Sequence, residues 1–151
     1  MNSVITKVVP RTSDIGNLKV KQAWPSIERR SVGPFVFWDQ FGPSQLLAGI
    51  GLDVRPQPHI GLVSLSYLFE GQIQHRDSLG SSVICRLGAV SLMLAGAGAG
   101  AGGRGRGRAG FVHSERSDAF SHQPIGKLCG IQSWVALPTE MGGVFPGLFS
   151  F

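Results

Sequence analysis

Charge is what this chain has least of. Charged residues fill 15% of its 151 positions, against about 25% in an average globular chain. The formal net charge is +5, but three arginines lie in residues 95–110, AGAGAGAGGRGRGRAG, and without them it falls to +2. Direct nucleic-acid binding needs a basic face spread over the fold, so no such partner is expected. Cysteine is nearly as scarce. Cys85 and Cys129 stand 44 positions apart with no CxxC, which excludes a disulfide-rich scaffold and a cysteine zinc cluster and favours a reduced, cytoplasmic setting. The N-terminal MNSVITKVVPRTSD lacks the apolar stretch of a secretory signal. The longest uncharged run, residues 87–103, is 17 residues long, and eleven of them are glycine or alanine, short of the roughly 20 apolar residues a bilayer span requires. No membrane partner is expected. Gly-x-Ser-x-Gly, HExxH and P-loop motifs are also missing, which removes the common hydrolase and nucleotide chemistries.

Glycine is in excess, at 22 residues, eight of them within residues 95–110. That stretch reads as a flexible loop insertion, because glycine costs much entropy to order and offers nothing to pack. Gly98-x-Gly100-x-x-Gly103 matches a dinucleotide fingerprint in form only, since no helix can open in the Gly-Arg run that follows. Elsewhere, short apolar runs at 35–38, 62–69, 83–85, 89–94, 111–113 and 131–137 alternate with turn signals. These are Gly42-Pro43, Pro56 to Pro58, Glu70-Gly71, Asp77 to Gly80 and Leu87-Gly88. Strands at such spacing predict an all-β sandwich or barrel. The length suits one domain. Residues 1–30 read as an N-terminal arm or edge strand, and residues 139–151 as a divergent tail.

Side chains alternate faces along a strand. Over residues 59–69 the more apolar face carries Val63, Leu65, Tyr67 and Phe69 and is expected to face the core. The other face carries Leu62, Ser64, Ser66 and Leu68. Carried back through Gly61, the alternation puts His59 and Gln57 inward as well, unless a bulge at Gly61 intervenes. In the segment from Phe111 to Glu115, residues Phe111, His113 and Glu115 share a face. Two segments thus carry ligand-type residues at spacing i, i+2, and on neighbouring strands they would converge. His59, His113 and Glu115 form a two-histidine, one-carboxylate set of the kind that holds a divalent metal with open positions. Gln57 could add a weak amide ligand or a hydrogen bond beside it. His75 reads as a strand-end residue before an Asp-Ser-x-Gly turn, and His122 as a loop residue. Asp39 and Glu70 are a conceivable acid–base pair that nothing in the spacing brings together.

SVGPFVFWDQFGP, DVRPQPHIGLVSLSYLFEGQIQHRDSLGS, GFVHSER and GIQSWVALP, in that order, resemble the N-terminal half of the pirin family over roughly residues 30–138. The resemblance implies a single cupin-type β-barrel (a double-stranded β-helix, or jelly roll) over residues 31–138, with the family's second cupin absent. It implies Fe(II), or another divalent metal, on His59, His113 and Glu115. Gln57 stands where the family has the first histidine of a His-x-His pair, and a neutral amide oxygen predicts weaker binding.

Some pirins are quercetin 2,3-dioxygenases, so the resemblance implies an oxidoreductase acting on a flavonol-like substrate with Glu115 as catalytic base. Eukaryotic pirins are nuclear transcription cofactors, which implies the alternative of a non-catalytic, redox-sensing protein with a regulatory protein partner. An inactive truncated fragment is the third reading.

Overall fold

The structure is a computed structural model that describes residues 5–15, 18–46, 51–96, 111–116, 126–138 and 147–151. The Gly/Ala/Arg insertion from residue 97 to 110, His122 and most of the expected tail lie outside the described residues. The described residues form eleven strands: β1 (Arg11–Ile15), β2 (Leu18–Trp24), β3 (Phe35–Gln45), β4 (Asp53–His59), β5 (Leu62–Glu70), β6 (Gln72–Asp77), β7 (Ser82–Arg86), β8 (Val90–Ala95), β9 (Phe111–Arg116), β10 (Lys127–Ala136) and β11 (Gly147–Ser150). They form two sheets, β1-β2-β3-β10-β5-β8-β11 and β4-β9-β6-β7, in which every pairing is antiparallel. The fold is all-β and cupin-like. Among the described residues no helix is long and apolar enough to cross a membrane.

Most expected turns fall where they were placed, but two lie inside strands. Gly42-Pro43 is part of β3. Gly42 takes φ +72°, and an added Cβ there would strike the Leu128 carbonyl, so only glycine fits. Pro56 and Pro58 lie within β4, which is an edge of the small sheet, and an edge is where a strand tolerates residues without an N–H.

The facing expected for residues 59–69 is reversed. Ser64 and Leu68 are the buried residues of β5, whereas Phe69 is 47% exposed. Gly61, at φ +65°, turns the chain between β4 and β5 and breaks the alternation. Cross-strand register repeats the inner face on the neighbours: Ser64 opposes Met93 and Trp134, and Leu68 opposes Gly130. Gly130 is glycine for lack of room, since a Cβ would collide with the Phe41 ring. Leu18, Val20, Phe41, Val54, Leu68 and Leu128 belong to the buried apolar cluster between the sheets. At about 25 cal/mol per Å² of apolar area removed from water, burial of this kind is the main force holding the sheets together. Cys85 and Cys129 are free thiols.

Candidate metal centre

β4 pairs with β9 so that Gln57 lies opposite His113 and Val54 opposite Glu115. β6 pairs with the other side of β9 and sets His75 opposite Glu115. Three strands of the small sheet therefore turn their polar residues to one interior. His59, His75 and His113 are each at most 5% exposed. His59 Nε2 and His113 Nε2 are 3.0 Å apart, and His113 Nδ1 is 4.0 Å from Glu115 Oε1. The His75 ring stacks on His113 at 5.0 Å. Ligand atoms of His75, His113 and Glu115 lie within 4.8 Å of one another. Trp134, from β10, sets its ring edge-on to His59 at 5.0 Å and fixes that imidazole from the large sheet.

Electrostatics favour the ligand forms of the histidines. Burial lowers the pKa of His59 and of His75. His113 is pushed down to about 3, first by burial and then by the other two histidines. All three are neutral imidazoles near pH 7, as metal ligands must be. Glu115 is raised to about 7 by burial, with the Asp39 carboxylate adding to the shift. His75 Nε2 contacts Asp77 Oδ2 at 3.3 Å. Asp77 is pinned in turn by the N–H groups of Leu79 and Ser81, which donate to its Oδ1 at 2.8 and 3.0 Å. Burial opposes ionisation of Asp77, but these hydrogen bonds outweigh it and hold the carboxyl below its ordinary value.

A cavity of about 20 Å³ adjoins the cluster. His75, His113 and Glu115 line one side, and Ser64, Ser66, Ser91 and Met93 of the large sheet line the other. Neutral imidazoles with a carboxylate are a donor set for iron, nickel, copper or manganese. A metal–nitrogen bond of about 2.1 Å puts two nitrogens at right angles on one ion about 3.0 Å apart, the His59–His113 separation. The residues present fit a divalent transition metal.

Gln57 is half-buried and lines a different chamber, together with Asp39 and Glu115. Glu70 is exposed and does not join Asp39. Two further interior residues, His75 and Asp39, are marked in the sequence only by strand alternation. His75 flanks the Asp-Ser-x-Gly turn, yet Ile73 and His75 alternate with Gln72, Gln74 and Arg76, which is the period of an inward-facing pair. Asp39 falls between Phe37 and Phe41 on one face of β3, a polar break in an apolar series.

The family model for pirin matches residues 17–135. A pirin-like protein of Caulobacter vibrioides is 42% identical over 138 residues, covering 90% of this chain and 43% of that relative. The crystal structure of a quercetin 2,3-dioxygenase from Acinetobacter baumannii superposes with a TM-score of 0.79 at 33% identity, over 95% of this chain and 43% of the other. A bacterial pirin of Escherichia coli in complex with nickel(II) shares the fold, with a TM-score of 0.63 at 20% identity over 94% of this chain and 54% of that one. The chain spans less than half the length of the curated relatives it matches. With 119 consecutive residues under the family model and its polar strands converging on one interior, the chain belongs to the pirin family.

Proposed function

We propose that the histidine cavity binds one Fe(II) and that the protein is a dioxygenase of the quercetin 2,3-dioxygenase type. The observation that carries this reading is the convergence of neutral His59, His75 and His113 with Glu115 on one buried interior. The likeness to a quercetin 2,3-dioxygenase supports the substrate class, and the nickel(II) complex of a pirin of the same fold supports a divalent ion. His113 and Glu115 hold the ion together with His59, 3.0 Å from His113, and His75, within 4.8 Å of His113 and Glu115 and anchored by Asp77. Iron, when bound by these residues, would supply the Lewis acidity and one-electron redox chemistry for a reaction between an electron-rich hydroxylated ring and O2.

Glu115 takes the proton of the flavonol hydroxyl on a carboxylate oxygen. Burial and the Asp39 carboxylate raise its pKa to about 7 in the metal-free chain, which makes it a stronger proton acceptor than an exposed carboxylate. Leu68 and Met93 keep water from the far wall, and the hydroxyls of Ser64, Ser66 and Ser91 offer hydrogen bonds there.

Cavity size favours a second reading, a non-catalytic metal-binding pirin with a protein partner. Room of about 20 Å³ takes an ion or a water, whereas pockets for drug-sized ligands run on the order of 300 Å³ or more. A flavonol must then bind with only its reacting edge inside. Metal analysis of the purified full chain, with O2 uptake on added quercetin, separates the readings. Stoichiometric iron with quercetin-dependent O2 uptake is expected. Iron without uptake selects the second reading, and no metal, with none gained in Gln57→His, overturns both.

A further inference from the structure

The second chamber, with room of about 20 Å³, shares Glu115 and Ile73 with the histidine cavity but contains no histidine. Its polar lining is Asp39, Gln57, Glu115 and Gln132. Gln132 is committed elsewhere: its Oε1 accepts from Trp134 Nε1 at 3.2 Å, and its Nε2 donates to Ser66 Oγ at 3.3 Å. Asp39 is in a different condition. It is 2% exposed, and its carboxyl accepts a hydrogen bond from the Gln132 backbone, yet its Oδ1 has no hydrogen-bond partner among the described residues. No Lys or Arg forms an ion pair with it among the described residues.

A carboxylate taken out of water without a counter-charge is expensive. A buried polar atom left unsatisfied in a folded protein calls for an explanation, and a bound ion is one. The rest of the chamber wall, Val20, Phe41 and Val54 among it, is apolar and cannot solvate the charge. Two carboxylates and an amide oxygen are a set of hard oxygen donors, which suits Mg²⁺, Mn²⁺ or Ca²⁺ better than a soft metal. Ionised, the two carboxylates bring two negative charges to one divalent ion, and the room matches one ion without a hydration shell.

We propose that this chamber is a second cation site, in which Asp39, Glu115 and Gln57 hold one hard divalent ion beside the histidine-held metal, Glu115 facing both. The inference extends the reading of the histidine cavity as a metal centre, and stoichiometry tells their failures apart. Metal-stripped full chain is dialysed to equilibrium against Mn²⁺ and the bound ion is counted by elemental analysis. Two Mn²⁺ per chain are expected for the wild type and one for Asp39→Asn. His113→Ala is also expected to keep one, in the oxygen-lined chamber. Gln57→Leu, which leaves both carboxylates in place, is expected to weaken the second ion about tenfold and serves should Asp39→Asn fail to fold. One ion per chain, lost in His113→Ala and kept in Asp39→Asn, overturns the second site and leaves the histidine centre standing. A wild type that binds no Mn²⁺ overturns both, and a second ion kept at full affinity in Asp39→Asn and Gln57→Leu overturns the assignment of its ligands.

Discussion

The two sheets divide the work between them. The small sheet contributes His59, His75, His113 and Glu115 to the interior from three adjacent strands, and its outer face carries Arg76, Arg86 and Arg116, all exposed. The large sheet turns serines, Leu68, Met93 and Trp134 to the same interior. Its outer face is apolar, with half-buried Val63, Leu65, Tyr67, Leu92 and Leu94 beside exposed Phe69 and Phe149. Ligands therefore ride on a four-stranded layer, while most of the buried apolar wall that opposes them is built elsewhere. The difference teaches that binding and folding are separable in this barrel: damage to one sheet should be read in metal content, and damage to the other in stability.

The largest effect should come from the large sheet. Leu68→Ala empties a fully enclosed position and is expected to cost about 2–5 kcal/mol, measured by urea denaturation, with metal content per folded chain unchanged. A loss of metal in proportion to the loss of stability would break the separation. Next comes His113→Ala on the small sheet. Removal of a direct ligand should weaken divalent-metal binding by about a hundredfold or more, since even supporting residues are worth about 10–100-fold. Metal titration followed by calorimetry checks this, and the metal-free variant should unfold at a denaturant concentration closer to wild type than Leu68→Ala does.

Acidity acts on the metal centre through Glu115. Glu115 binds a metal only as the carboxylate, and its proton leaves near pH 7. Affinity for a divalent ion should therefore rise by about tenfold per pH unit from pH 5 to about 7 and flatten above that, as a pH series of titrations would record. Glu115→Gln should flatten the slope. The smallest effect is expected at Phe69→Ser on the outer face of the large sheet. Its ring is 47% exposed, and a surface change away from special features stays within about 0.5 kcal/mol. A loss comparable to Leu68→Ala would mean that this face, too, is structural.

Much of the architecture was legible because strands, turns and motif order are local or familial. The His59 and His113–Glu115 segments stood out by their i, i+2 spacing, which a strand converts directly into a shared face. The facing of β5 was not legible. Both of its faces hold apolar residues, and the cavity side is marked by small hydroxyls, Ser64 and Ser66, that look solvent-bound to a hydrophobicity count. His75 was obscured by its neighbours. Asp77 does organise the turn that the sequence announces, through Leu79 and Ser81, but the interior position of His75 depends on β6 meeting β9, 40 positions away in the chain at Glu115. Asp39 was visible as a polar residue between aromatics, with no local signal that Glu115 would face it.

The prolines of β4 have a consequence beyond tolerance of an edge. An unpaired strand rim is a template on which another chain can add and start an aggregate. Pro56 and Pro58 lack the N–H groups that such an addition needs, so the rim that carries His59 is a poor seed for intermolecular zippering. Among the described residues β4 pairs only with β9, and the two prolines make its other rim safe to leave without a strand partner.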